Sequence, residues 1–104
     1  MHSMNSVSTL ARFASTCSDH TLAPLLRAKV ELLADYDDLA TYVIIAPTDT
    51  LDDLEPWPTP EVVETFAGWT VVTIILSDEG EGVILFVPDS ADRSLMAAIM
   101  EGGR

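Results

Sequence analysis

Apolar side chains recur along the chain in distinct rhythms, and each rhythm predicts a different element. Val7, Leu10, Ala11, Phe13, Ala14 and Cys17 stand at helical spacing, so a first short helix is expected over 7–17. Asp19, His20 and Thr21 interrupt it. Leu22, Leu25, Leu26, Val30 and Leu33 resume the three-to-four spacing and predict more helix. Thr21 is its expected cap, and Pro24 falls in the first turn, where a missing N–H does little harm. The pattern fits two helices or one kinked helix. Residues 1–6 follow neither rhythm and read as a flexible tail, leaving a single domain over 7–104.

The middle of the chain changes character. Thr41 to Ala46 is β-branched and aromatic, hence a strand ended by Pro47. Thr50 and Asp53 stand three apart, as in a capping box with Asp in place of Glu, and predict a helical turn over Leu51–Glu55. Pro56-Trp57-Pro58 is a stiff linker. Thr59-Pro60-Glu61 carries helix-start chemistry, so a short helix is expected to about Phe66, closed by Gly68. Trp69–Leu76 and Val83–Val87 are apolar and β-branched, and the Ser77–Gly82 turn between them predicts an antiparallel hairpin. Leu95, Met96, Ile99 and Met100 form one face of a last helix, capped within Asp89–Asp92 and stopped by Gly102 and Gly103.

The expected fold is therefore α+β: a small, mainly antiparallel three-stranded sheet packed with N-terminal and C-terminal helices, the helices on one face. Near-continuous apolar runs in the second and third strands call for burial on both faces or for assembly. A sheet edge also offers a route to a homodimer.

Charge adds what the pattern does not. Seventeen Asp and Glu face five Lys and Arg among 104 residues, for a net charge of −12. A basic nucleic-acid-binding surface and an anionic membrane surface are both disfavoured. No Lys or Arg lies between Lys29 and Arg93, and that interval holds fifteen acids. Such a field attracts cations and basic protein surfaces. The lone cysteine, Cys17, excludes an intrachain disulfide and a cysteine-based zinc site. Met1–Ser6 lacks the basic region and apolar core of a signal peptide, and the expected compartment is the cytoplasm. Met4 offers an alternative start.

Two segments resemble a known group. Ala46-Pro47-Thr48-Asp49-Thr50, with the acidic turn after it, is similar to a Glu-Pro-Gly-Asp-Thr segment in a family of small uncharacterised proteobacterial proteins often carried on plasmids and other mobile elements. Gly68-Trp69 and Ser77-Asp78-Glu79-Gly80-Glu81-Gly82 with its flanking strands resemble that family's hairpin. The resemblance covers roughly 41–100. Thr48 replaces a glycine and Glu81 an aromatic residue. It implies the topology and a mobile-element setting, and it transfers no catalytic residue.

Candidate chemistry is sparse. Cys17 and His20 stand three apart, as a nucleophile and base would, but a lone cysteine on an apolar helical face is ordinarily a small buried hydrophobe. Asp49, Asp52 and Asp53 sit where acids stabilise a helix N-terminus, and the calcium-loop pattern is absent. Nothing calls for a cofactor or a metal, and the chain is not expected to be an enzyme. Trp57, between two prolines in an acidic loop, is either an exposed anchor or a lid over the core. The expected partner-binding residues are Asp35, Asp37, Asp38, Trp57, Asp78, Glu79 and Glu81.

These readings lead to one functional expectation: a non-enzymatic acidic protein of a mobile element. It would inhibit host defence, in the anti-CRISPR or anti-restriction manner, by occupying a basic nucleic-acid-binding surface of a host protein. Two alternatives carry the same electrostatics or fewer demands: an antitoxin or immunity protein neutralising a basic toxin, and an acidic oligomeric domain without such a partner.

Overall fold

Five strands and three helices are present in the computed structural model, which describes residues 1–33, 40–54, 56–79 and 81–102. Helix α1 (Val7–Thr16) and helix α2 (Leu22–Leu33) are separate, which resolves the choice left by the pattern. Ser6 caps α1, its hydroxyl accepting from the Thr9 N–H. At α2 the cap is Asp19 rather than Thr21: its carboxylate accepts from the N–H groups of Thr21 and Leu22 at 2.9 and 3.1 Å. A carboxylate reaches two donors where a hydroxyl serves one.

The sheet runs β1 (His2–Met4), β2 (Ala40–Ile44), β5 (Gly82–Pro88), β4 (Trp69–Ile75) and β3 (Val62–Phe66) in that spatial order. Strands β3, β4 and β5 form an antiparallel meander, and β1 lies antiparallel to β2. The two pieces join through a parallel β2–β5 pairing, Ala40 beside Gly82 and Ile44 beside Phe86. The α+β class and the Trp69–Pro88 hairpin are as expected.

Three expectations are corrected. The sheet has five strands, not three, and is mixed. Residues 1–6 are not a loose tail, because His2–Met4 pair with Tyr42–Ile44 and Met4 is 1% exposed. The helix expected from Thr59 to Phe66 is strand β3. Its Val62, Val63, Thr65 and Phe66 are β-formers, and a two-residue turn returns them onto β4, with Gly68 at φ 86°. That positive φ suits glycine in a turn. Helix-start chemistry at Thr59-Pro60-Glu61 is a local signal, and cross-strand pairing overrides it.

Helices cover both faces of the sheet, not one. Alternation along β5 sends Ile84 and Phe86 toward α1 and α2, together with Tyr42, Ile44, Trp69 and Val71. It sends Val83, Leu85 and Val87 to the other face, under α3 (Arg93–Met100) and a 3-10 turn at Leu51–Asp53, with Leu95 and Ile99. This two-sided burial explains the near-continuous apolar runs. The indole N–H of Trp69 donates to the Thr21 hydroxyl at 2.9 Å, and that hydroxyl donates to Asp19 at 2.6 Å, tying the α1–α2 turn to β4. Among the described residues, no helix is long and apolar enough to cross a membrane.

Candidate functional site

The acids divide into those the fold uses and those it leaves free. Asp49 accepts from the Ala46 N–H at 2.8 Å and pairs with the Met1 ammonium at 2.9 Å. Asp53 accepts from the Thr50 N–H at 2.8 Å, the capping contact expected from the Thr50–Asp53 spacing. Asp92 accepts from the N–H and hydroxyl of Ser94 at the start of α3. Glu64 pairs with Lys29 at 3.4 Å. Among the described residues, no three of His, Cys, Asp and Glu are grouped as a metal site requires.

Two of these caps titrate abnormally. The Thr21 hydroxyl, then the N–H groups of Thr21 and Leu22, hold the Asp19 carboxyl below its usual value of 3.8. The Ser94 hydroxyl and N–H do the same for Asp92. A depressed carboxylate stabilises the fold fully above its unfolded value, and the contribution is lost as pH falls through the lower folded value. The Asp19→Asn, Asp92→Asn double variant keeps the acceptor oxygens but not the titration. Its melting temperature is expected to fall less steeply than that of the parent as pH drops below 3.8. Parallel acid limbs in thermal melts would show that these caps do not contribute.

Of the residues singled out for chemistry, the Cys17 thiol faces the Asp19 carbonyl at 4.0 Å and packs at the edge of the α1–α2 core. His2 stacks on Phe13 with ring centroids 5.0 Å apart, which gives it a packing role. Asp35, Asp37 and Asp38 lie outside the described residues.

Trp57 and Leu76, the residue that leads into the β4–β5 loop, line one pocket. Trp57 is not an exposed anchor: it is 7% exposed and packs with Leu54, Leu85 and Leu95 as a lid on the second core. Between flanking prolines the ring has few alternative placements, and burying a large aromatic outweighs leaving it in water. Beside it opens a pocket of about 330 Å³, lined by Met1, Ser3, Thr41, Val43, Pro56, Trp57, Leu76 and Val83. Leu76 is half-exposed on its wall, and its N–H donates to the Glu81 carbonyl at 2.7 Å, closing the base of the acidic loop. Asp78, Glu79 and Glu81 stand exposed on that loop. Their carboxylates make no hydrogen bond or ion pair with another described residue. Leu76 thus links the pocket wall to a loop whose carboxylates the fold leaves unused.

Sequence reasoning missed the pocket because its walls come from five separated segments. Leu76, read as the last residue of a strand, was legible only as core. The basic residues lie elsewhere: Arg12, Arg27 and Lys29 are on α1 and α2, where Lys29 pairs with Glu64. Asp19 and Glu31 aside, the described acids follow from Asp49 onward, where Arg93 is the one described base.

No protein-family model matches this chain, and neither a curated protein nor a solved structure matches it, so the resemblance to small proteobacterial proteins rests on its own residues.

Proposed function

We propose that this chain is a non-enzymatic binding protein that presents the acidic β4–β5 loop, with the pocket wall at Leu76, to a basic surface of another protein. The observation that carries this reading is the contiguity of Leu76 with Asp78, Glu79 and Glu81. One short loop supplies both an apolar contact and carboxylates that the fold leaves unused. An interface with an apolar centre and a charged rim combines affinity with oriented encounter. In the mobile-element setting implied by the resemblance, the occupied surface is a nucleic-acid-binding site of a host protein, and the chain is an inhibitor of it.

The test is capture from host lysate with the parent protein and the Asp78→Lys, Glu79→Lys, Glu81→Lys variant side by side. Proteins retained by the parent should be released as salt rises, because exposed charges are screened beyond roughly 8 Å at physiological ionic strength. The variant should associate with them about 10-fold more slowly, or worse, at unchanged thermal stability. Retention that ignores both salt and the substitutions would refute the proposal.

A further inference from the structure

The sheet has two edges, and they are unlike. Strand β1 is three residues long, and its His2 stacks on Phe13. Strand β3 is five residues long, and among the described residues its outer backbone groups meet no other strand. Natural edges of this length are commonly guarded by a lysine, a proline within the strand or a bulge. Strand β3 has none of these in its Val62–Phe66 span, and its pairing to β4 is regular throughout. Instead it exposes Val62 and Val63, and Phe66 beside Leu32 of α2, which is 65% exposed. Its one charge, Glu64, is matched by Lys29.

We infer that β3 is a homodimerisation edge, where two copies pair antiparallel about a twofold axis at Glu64 and join their sheets into one. The register follows from self-complementarity. A twofold at the central residue sets Val62 against the partner's Phe66 and Val63 against the partner's Thr65. Side chains opposite one another share a face, so on either side of Glu64 each pairing is apolar or β-branched on matched sides. The twofold stands perpendicular to the sheet, so both α2 helices lie on the same face. The groove between α2 and β3, lined by Leu25, Leu32, Phe66 and Val71, then meets its own copy.

Charge selects a second copy at this place. Two molecules of net charge −12 repel over most of their surfaces. The α2–β3 face is where the acid is balanced, by Lys29 on Glu64. Pairing at Glu64 brings two carboxylates and two ammonium groups together, a neutral cluster in which each Glu64 lies near both lysines. Salt should therefore favour this contact by screening the long-range repulsion, the reverse of its effect on the acidic loop.

Sedimentation over a range of concentrations tests the edge, with two variants. The parent is expected to be a dimer that tightens as salt rises. Val63→Lys, at an exposed position, should sediment as a monomer with unchanged circular dichroism. Glu64→Cys in a Cys17→Ser background should give a disulfide-linked dimer on mild oxidation, because only a residue on the twofold meets its own copy across antiparallel strands. A parent that is monomeric at every concentration overturns the inference. So does a dimer that survives Val63→Lys and fails to cross-link at position 64, since it would use another face.

Discussion

Truncating Phe86 to alanine is expected to lower the unfolding free energy by about 3–5 kcal/mol, the range for deleting a large aromatic from a closed core. Phe86 lies on β5, the central strand, and is fully buried. It packs with Tyr42, Trp69 and Leu26, so the void would be bounded by two strands and a helix. Paired backbones on both sides of β5 prevent the strand from collapsing into that void. A domain of this size has roughly 5–15 kcal/mol in total. The melting temperature should therefore drop by roughly 10–20 °C. Urea unfolding should show a lower midpoint at an unchanged slope. A loss below about 1 kcal/mol would mean that the site relaxes and that the two layers are not closed over it.

Met4→Ala is expected to cost about 2–4 kcal/mol, an effect that a residue in a flexible tail could not have. Its side chain is 1% exposed in the core beneath α1, and its Cα registers with Tyr42. Removing it opens a cavity and loosens the short β1 strand, leaving β2 as a barer edge. Amide exchange gives an independent check: amides of the β1–β2 ladder should be protected in the parent and faster in the variant. A change within about 0.5 kcal/mol would return residues 1–6 to the status of a tail.

Legibility of the fold followed the range of the signal. Helix α1, helix α2, helix α3 and the Trp69–Pro88 hairpin each carry their pattern within one continuous segment, and they lie where the apolar spacing placed them. The Thr50–Asp53 cap was readable because both partners sit three residues apart. Strand β1 was not readable: three residues are too few for a period, and its pairing partner lies some forty residues downstream. Strand β3 was misread because Thr59-Pro60-Glu61 is a strong local start, while the evidence against a helix lies in a long-range ladder with β4.

The candidate site divides the same way. Asp78, Glu79 and Glu81 were recognisable as exposed loop acids from turn composition alone. The pocket that Leu76 shares was not, because Trp57, Thr41 and Leu76 meet only after β2 and β5 align in parallel. The α+β class, the helices, the hairpin and the excess of negative charge are legible without the fold, since each depends on composition or on neighbours a few residues apart. Which acids are spent on caps and ion pairs, that Trp57 is a lid, and that β3 is an edge emerge once distant segments pack. Those outcomes depend on which distant segments share a surface, and short-range periodicity carries no information about that.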